Sequence, residues 1–407
     1  MPGKTLWILN HYAIVPIMGG GTRHYDISRF LVKNGYKVRL FVGDYHHLLK
    51  KRWSELFGKE DIEIDGIKIH VVTTRYYKGN DVHRFFNMID YKNGVLKKAE
   101  VLKEKPDVIW ASSVHPLAWV AGWKLARRFK SKLIVEVRDI WPKSIVEVKK
   151  LTKLNPVVLY FSIIEKKAYK LADHIISLVP SLFDHLDDLG LSHLKNKVVL
   201  IPNFIDLERF DKLVECELPF DSKSSKIMVY IGAHGPANDL KTVVEGFRIF
   251  SEKNPTIDLE LHLFGSGPEK SNLMKLVEQF SIKNVYFHDP IPKECIPYLL
   301  KNSDLAIFPL KKFEMKDAGF SSNKLMDYMA ARIPIISVNI ENLPVAETRG
   351  AFFYEAEDPE SFASAIEDFF NSDEETVKEK LKRNYEYILK NRSLETAGRK
   401  IINIIEN

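Results

Sequence analysis

A loop and the helix after it, in the second half of the chain, carry the side chains best suited to bind an anion. Ser321, Ser322 and Asn323 are residue types that cap helix N-termini, so backbone N–H groups are expected to open a helix here. Such a terminus attracts negative charge, and Lys324 adds a full positive charge in the first turn. Asp327 follows about one turn later and can face the same cleft. The segment predicts a phosphate site; the alternative is an ordinary αβ unit with a surface lysine and aspartate.

Short apolar runs alternate with helical patterns almost throughout the chain, and these elements must position the candidate residues. Continuous apolar runs separated by helices predict buried parallel strands. Two series of such runs, broken by the polar stretch 211–226, predict an α/β fold with two doubly wound parallel-sheet domains. The predicted strands are Leu6–Leu9, Val38–Val42, Ile67–Val72, Val108–Ala111, Leu133–Val137, Ile175–Leu178, Val198–Ile201, Ile227–Ile231, Leu259–Phe264, Val285–Phe287, Leu305–Phe308, Ile335–Val338 and Phe352–Tyr354.

The division predicts an N-terminal domain over residues 1–205, a C-terminal domain over 206–380 and a helical segment over 381–407. Ligands of doubly wound sheets bind beyond the carboxyl ends of the strands, so we expect the chemistry in a cleft between the domains.

Composition limits the classes of function. The 407 residues suffice for two domains with sizeable cores, and a net charge of +6 argues against a dedicated nucleic-acid binder. Cys216 and Cys295 are far apart and lack metal-ligand spacing, so we expect a reducing, cytoplasmic compartment. The first ten residues do not resemble a signal peptide, and no window reaches the roughly 18 apolar residues of a spanning helix.

Three further candidate sites lie in the first half of the chain: a glycine loop, a histidine and an Arg-Asp pair. Gly20 and Gly21 let backbone N–H groups approach a phosphate or sugar, and Arg23 is the candidate anion contact beside them. This loop lacks the G-x-G-x-x-G spacing of dinucleotide sites, and a flexible loop is the alternative. His115 follows a predicted strand, where a structural histidine is equally expected.

Arg138 and Asp139 end another predicted strand. They form either a structural ion pair or part of the acceptor side of the cleft, which is the side where a substrate hydroxyl would bind. In the second case the Asp139 carboxylate is the candidate to help an acceptor hydroxyl lose its proton.

Turns in the second half add candidates for nucleotide binding, with plain turn chemistry as the alternative. They are Gly232 and His234 after the first strand of the second series, Gly265 after the next, and Ile291 and Pro292 after the third. The chain contains no Asp-x-Asp, so no metal requirement and no cofactor are expected.

Seven lysines between residues 143 and 170 flank the apolar run 157–164. A buried helix with a solvated basic rim explains this pattern, and so does a peripheral contact with an anionic membrane surface.

The helix segment, S-x-N-K-L-x-D-Y-M-A-A-x-x-P-I-I-S, resembles the donor-binding signature of the family-4 retaining glycosyltransferases. These GT-B enzymes use nucleotide-sugar donors. The resemblance is closest to the N-acetyl-L-fucosaminyltransferase-like branch, which helps build bacterial surface polysaccharides. Supporting pieces in matching order are G-G-G-T-R-H, V-R-D-I-W-P, I-P-N-F-I-D-L-E-R-F and F-G-S-G-P-E.

The resemblance implies roles for individual residues. The glycine loop would contact the donor diphosphate and the acceptor, and His115 would orient the donor sugar. Asp327 would bind the ribose hydroxyls, and the backbone of Ile291-Pro292 would read the base. The final segment would cross back and pack on the first domain.

Two departures from the family pattern stand out. Gly319 replaces the first glutamate of the family signature, which makes a covalent route through that position impossible. The sugar contacts are then expected from the backbone of residues 319–322, with Glu314 and Asp317 as nearby alternatives. Ala233 and Asn238 replace the usual Arg and Lys of the diphosphate clamp, so we expect Lys324 to matter more than in relatives.

These observations predict a metal-independent retaining transfer of an N-acetylated sugar from a UDP-sugar to a lipid-linked glycan. Same-face attack, with the departing phosphate taking the acceptor proton, fits the missing glutamate. The alternatives are a non-hydrolysing UDP-sugar epimerase, a catalytically silent partner subunit of another transferase, and a plain binding module.

Overall fold

The computed structural model describes residues 3–46, 51–58, 61–79, 82–113, 115–144, 146, 152, 154–220, 225–312 and 320–407. The chain forms two compact units. One comprises Met1–Pro202 with Ala397–Asn407, and the other comprises Asn203–Thr396. The division at 202/203 falls three residues before the expected one, and residues 381–396 belong to the second unit rather than to a separate segment.

The N-terminal unit is built on a sheet of eight described strands in the order β10-β9-β8-β7-β1-β2-β6-β5. All neighbours are parallel except β5 and β6, which are antiparallel. A short ribbon, β3-β4, lies outside this sheet. The strands are β1 Thr5–Leu9, β2 Lys37–Gly43, β3 Tyr45–His46, β4 Lys51–Arg52, β5 Asp61–Ile64, β6 Ile67–Val72, β7 Val108–Ser112, β8 Lys132–Val137, β9 His174–Ser177 and β10 Val198–Leu200.

Helices cover this sheet and bury its apolar side chains, with Trp7, Trp110 and Trp119 fully buried. The helices are α1 Arg23–Lys33, α2 Trp53–Phe57, α3 Val82–Val101, α4 Leu117–Phe129, α5 Pro156–Leu171 and α6 Leu182–Asp188, with 3₁₀ turns at Pro16–Met18 and Ser192–Lys197.

The C-terminal unit contains a six-stranded sheet, entirely parallel, in the order β13-β12-β11-β14-β15-β16. Its strands are β11 Lys226–Ile231, β12 Leu259–Phe264, β13 Val285–His288, β14 Leu305–Phe308, β15 Ile335–Val338 and β16 Phe352–Tyr354. Its helices are α7 Leu207–Phe210, α8 Leu240–Lys253, α9 Lys270–Gln279, α10 Ile296–Lys301, α11 Asn323–Ala331, α12 Pro344–Thr348, α13 Pro359–Asn371 and α14 Glu374–Tyr387, with 3₁₀ turns at Pro236–Asn238 and Lys293–Cys295 and a π-helical turn at Ile388–Arg392.

The last helix, α15 Leu394–Glu406, contributes its residues from Ala397 onward to the N-terminal unit. The Lys4 ammonium donates to the Ile405 carbonyl at 2.9 Å, and Gly398 lies so close to Phe30 that a Cβ there would be 2.2 Å from the ring. The end of the chain therefore packs where the resemblance implied, although only from residue 397.

All thirteen strands predicted from apolar runs are present, which confirms the doubly wound α/β fold. Cys216 and Cys295 form a disulfide across 79 residues, although their spacing predicts that both stay reduced. Cysteine usage therefore gives no support to a reducing compartment. The predicted linker 211–226 does not separate the units, because its described part belongs to the C-terminal unit.

Candidate active site

Helix α11 presents Lys324 in its first turn. Ser322 occupies the N-cap position, as predicted, but its side chain makes no capping hydrogen bond. The Lys324 ammonium donates to the Tyr230 hydroxyl at 3.0 Å and to Asn238 Oδ1 at 2.8 Å. It also lies over the Tyr230 and Phe308 rings, at 4.5 and 5.6 Å from their centroids. No described carboxylate pairs with this ammonium, so only neutral partners hold it.

Burial lowers the pKa of Lys324 to about 7, because the half-buried ammonium has lost much of its hydration. An anion placed beside it would favour the charged form and raise that pKa again. The ammonium therefore has no counter-charge in contact among the described residues, as expected of a group that binds an anion.

Two glycines keep the backbone close to this ammonium. A Cβ on Gly232 would lie 3.2 Å from Lys324 Nζ, and one on Gly265 would lie 1.8 Å from the Gly232 carbonyl oxygen. Gly265 also has a φ of 149°, which side chains disfavour. The turn after β12 can therefore approach the turn after β11 only because Gly265 lacks a side chain, whereas the absence of a side chain at Gly232 leaves room for Tyr230 and Lys324.

His234 lies in the turn after β11 and is fully buried. Neither ring nitrogen has a hydrogen-bond partner among the described residues. Burial lowers the pKa of His234 to about 4, and the charges of Lys270 and Lys324 act in the same direction. The neutral ring thus offers one donor and one acceptor, a costly arrangement that a bound ligand would relieve.

Asp327 lies one turn along α11 from Lys324. Burial raises the pKa of Asp327 to about 6, against the opposing pull of Lys293 and Arg209. Ser321 precedes the helix and accepts two hydrogen bonds from Asn203. The Asn203 backbone N–H donates to Ser321 Oγ and the Asn203 side-chain amide donates to the Ser321 carbonyl, both at 2.8 Å. Ser321 Oγ is therefore engaged by protein, while the helix that carries Asp327 is fixed in place.

Ile291 and Pro292 lie between β13 and the turn Lys293–Cys295, in the same unit. The disulfide from Cys295 ties this turn to Cys216. Their predicted role as base-reading backbone stays a prediction. Gly319, Glu314 and Asp317 lie outside the described residues.

Arg23 does not occupy the position that the sequence suggested. It is buried at the start of α1, where Nε donates to Glu136 Oε1 at 2.9 Å and the two terminal nitrogens donate to the carbonyls of Ile201 and Pro202. Protein acceptors thus bind the guanidinium inside the N-terminal unit, which corrects the expected anion contact. Gly20 and Gly21 precede this helix. Gly20 has a φ of 78°, in the left-handed region that favours glycine.

Glu136 anchors a buried polar network that the sequence analysis missed. His24 Nε2 lies 2.6 Å from Glu136 Oε2, and Asn10 Nδ2 lies 3.0 Å from both His24 Nδ1 and the Ser112 hydroxyl. Burial alone would raise the pKa of Glu136, but His24 and Arg23 outweigh it, so that pKa is lowered and the carboxylate stays ionised. The signal was an acid within the apolar run Leu133–Val137.

His115 lies at the carboxyl end of β7 and is fully buried. Its Nε2 lies 2.8 Å from His11 Nδ1, and its Nδ1 has no hydrogen-bond partner among the described residues. The His11 ring is stacked between Tyr12 and Tyr91, with both centroids 4.3 Å away. Burial lowers the pKa of His115 to about 3, with a smaller contribution from Arg84, so the ring is neutral. A neutral histidine with an unused nitrogen can hydrogen-bond a sugar hydroxyl.

Arg138 and Asp139 form no ion pair with each other in the described structure. The Arg138 backbone N–H donates to the Ser113 hydroxyl at 3.0 Å, and the charge of Arg138 helps to lower the pKa of Glu136. Asp139 is exposed. The structural ion-pair alternative is thus removed, and the acceptor-side role of both residues stays a prediction.

Two protein-family models match the chain, one over most of the N-terminal unit and one within the C-terminal unit. Residues 17–209 match the family model described as Glycosyltransferase Family 4, and residues 219–390 match Glycosyl transferases group 1. No curated protein matches the sequence.

Solved structures extend the likeness of fold over almost the whole chain. The sucrose-phosphate synthase of Thermosynechococcus elongatus is 15% identical, with 99% of this chain and 98% of that chain covered and a TM-score of 0.71. The E. coli trehalose-6-phosphate structure bound with UDP-2-fluoro glucose is 12% identical, with 99% of each chain covered and a TM-score of 0.71. Anabaena HepE, in complex with UDP and glucose, is 12% identical, with 99% of each chain covered and a TM-score of 0.66.

The two matched ranges and the fold together define the chain as an enzyme of the glycosyltransferase class, built on the GT-B fold. The N-terminal match is to the family 4 model and the C-terminal match is to the group 1 model. Among the described helices, none is long and apolar enough to cross a membrane. The described side chains also bring no three metal-ligating groups together.

Proposed function

We propose that this protein is a retaining glycosyltransferase that moves an N-acetylated sugar from a UDP-sugar to a hydroxyl of a lipid-linked glycan. The sequence motifs favour the N-acetyl-L-fucosaminyltransferase-like branch and a role in the assembly of cell-surface polysaccharide. Such an acceptor places the reaction at the cytoplasmic face of the membrane, where the enzyme binds peripherally.

The observation that carries the proposal is the Lys324 ammonium, held by Tyr230 and Asn238 with no described carboxylate beside it. A departing nucleotide diphosphate develops negative charge, and preorganised cations and N–H groups stabilise that charge most effectively. The first turn of α11 and the two ring nitrogens of His234, which have no partner among the described residues, supply such groups within one unit. The backbone N–H groups of Gly232 and Gly265 are already used, because they donate to the carbonyls of Phe264 and His288. The related E. coli and Anabaena structures, which hold UDP-2-fluoro glucose and UDP with glucose, support a uridine nucleotide as the donor.

In the proposed reaction, the bond between the anomeric carbon and the diphosphate oxygen breaks while the acceptor oxygen bonds to that carbon from the same face. The acceptor proton passes to the departing phosphate, and Lys324 and the helix N-terminus neutralise the charge. Asp327 holds the ribose hydroxyls, His115 orients the sugar, and Asp139 lies on the acceptor side with Arg138. No step in this scheme uses a metal ion.

A ligand screen tests the donor part of the proposal. Thermal unfolding is followed with UDP-, GDP- and ADP-sugars in the wild type, in Lys324→Ala and in the control Lys275→Ala, which alters an exposed lysine on α9. At a hundred times its dissociation constant a ligand stabilises the native state by roughly 2.7 kcal/mol, which raises Tm by roughly 5–10 °C for a unit of this size. We expect a UDP-sugar to give this shift in the wild type and control only. An equal shift in Lys324→Ala would contradict the proposed donor site.

Turnover tests the transfer itself. UDP-GlcNAc is incubated with and without a polyprenyl-diphosphate-linked saccharide, and the products are analysed by mass spectrometry. Elongation of the lipid-linked acceptor, with the donor unchanged when alone, supports the proposal. Epimerisation of the donor without acceptor would assign the chain to the epimerases, and donor binding without turnover on any acceptor would indicate a silent subunit.

A further inference from the structure

The solvent-facing side of α5 combines exposed apolar residues with lysines that form no ion pair with the described residues. The Lys167 ammonium lies over the Trp123 ring, 5.3 Å from its centroid. Val157, Leu159, Tyr160 and Ile163 are 48, 47, 46 and 69% exposed, whereas Val158, Phe161 and Ile164 of the same helix are buried. The apolar run thus divides between the core and the solvent instead of forming a fully buried helix. An exposed group of this size on one helix marks an interaction surface.

The last two turns of the same face are basic. Lys166, Lys167 and Lys170 are exposed, and none of them pairs with a described carboxylate. Glu165 is the one acid of α5, and it is buried, where it lies 2.8 Å from His185 Nε2 and accepts from the Tyr169 hydroxyl at 3.0 Å. The exposed face of α5 therefore carries positive charge that no acid of this helix offsets.

Neighbouring elements supply more apolar surface. The Phe85 ring of α3 packs edge-on against Phe161 of α5, with centroids 6.2 Å apart. Close to Phe85, Val82 and Phe86 of α3 are 60 and 40% exposed. Exposed apolar side chains thus occur on both helices of this pair.

We propose that the exposed face of α5, with the adjoining start of α3, binds directly to an anionic lipid bilayer surface. A helix in this position would lie in the plane of the interface, with Leu159, Tyr160 and Ile163 in the headgroup–acyl boundary and the lysines against lipid phosphates. Charge complementarity favours a bilayer over a protein, because exposed lysines beside exposed apolar side chains match anionic headgroups above hydrocarbon. The proposal goes beyond the transfer reaction and does not depend on the identity of the donor.

Vesicle sedimentation of the full chain, without substrates, tests the proposal. The probes are vesicles of phosphatidylcholine alone and of phosphatidylcholine with phosphatidylglycerol. We expect binding to the anionic vesicles only, weakening as salt rises. Each lysine near an anionic surface strengthens partition about fivefold, so the triple variant Lys166→Glu, Lys167→Glu, Lys170→Glu lowers it at least about a hundredfold. Ile163→Asp lowers it about tenfold.

A matched control reverses the same number of charges on exposed lysines of the C-terminal unit, in the variant Lys275→Glu, Lys283→Glu, Lys301→Glu. We expect this control to bind anionic vesicles more than tenfold better than the α5 triple variant. Circular dichroism and the donor-induced Tm shift show that each variant is folded, so a failed donor site and a failed membrane surface are separable. Equal vesicle binding by the two triple variants would overturn the proposal. So would self-association of the wild type that Ile163→Asp abolishes, because a second copy would then cover the face.

Discussion

The lowered pKa of Lys324 predicts that donor affinity depends on pH in a defined direction. Without ligand, the ammonium loses its proton near pH 7, because burial removes its hydration and only Tyr230 and Asn238 hold it. A diphosphate beside Lys324 restores the charged form, so binding takes up a proton above pH 7. Affinity is then expected to fall as pH rises.

The size of the effect follows from this pKa. If the pKa of Lys324 in the complex exceeds 9, the dissociation constant rises on the order of 20-fold between pH 6.5 and 8.5. Over this range His234 stays neutral, since its pKa lies near 4, and Asp327, with a pKa raised to about 6, is mostly ionised. The donor itself is a suitable probe, because the diphosphate of an intact UDP-sugar does not titrate here.

Isothermal titration calorimetry with UDP-GlcNAc, in buffers of different ionisation enthalpy, measures both the affinity and the proton uptake. Lys324→Arg is the informative control, because a guanidinium stays charged throughout and the slope is expected to disappear while binding persists. Lys324→Ala is expected to bind weakly at every pH. A wild type whose affinity and proton uptake do not vary with pH would refute the reasoning, and so would a slope that survives in Lys324→Arg.

Three further predictions concern stability and chemistry. Glu136→Gln leaves Arg23 buried without its carboxylate and is expected to lower the free energy of unfolding by about 3–5 kcal/mol, measured by urea denaturation; a loss below 1 kcal/mol would contradict the buried pair. Gly265→Ala forces a Cβ against the Gly232 carbonyl, so we expect roughly 1–3 kcal/mol of destabilisation and loss of the UDP-sugar Tm shift, whereas unchanged binding would show that the turns can separate. EDTA is expected to leave the initial rate of transfer unchanged, and a rate restored only by Mg²⁺ would disprove metal independence.

The sequence allowed the parallel sheets to be predicted because buried parallel strands are apolar on both faces. It did not reveal β5, whose residues Asp61–Ile64 alternate between acidic and apolar at an exposed sheet edge. The position of α11 followed from local signals, namely the cap residues before Asn323 and Pro334 after the helix. Such signals act within a few residues and can be read without a structure.

The partners of the site residues could not be predicted, because they lie far away in the sequence. Lys324 meets Tyr230 and Asn238 across separations of 94 and 86 residues, and Arg23 meets Glu136 across 113. From the sequence, Arg23 beside a glycine loop suggests a contact with a bound anion. The structure shows that the negative partner of Arg23 is the buried carboxylate of Glu136. The sequence pattern gives residue types at strand ends, whereas tertiary packing decides which charges remain uncompensated.

The disulfide between Cys216 and Cys295 closes a covalent ring that contains three adjacent strands of the C-terminal sheet, β11, β12 and β13. A ring of about 80 residues removes loop entropy from the unfolded chain worth about 4.5 kcal/mol in the polymer model. While the disulfide is intact, the two ends of this segment stay linked in the unfolded chain, so refolding begins from a cross-linked chain. Thiol reagents in the buffer thus become a variable that every stability measurement on this enzyme must control.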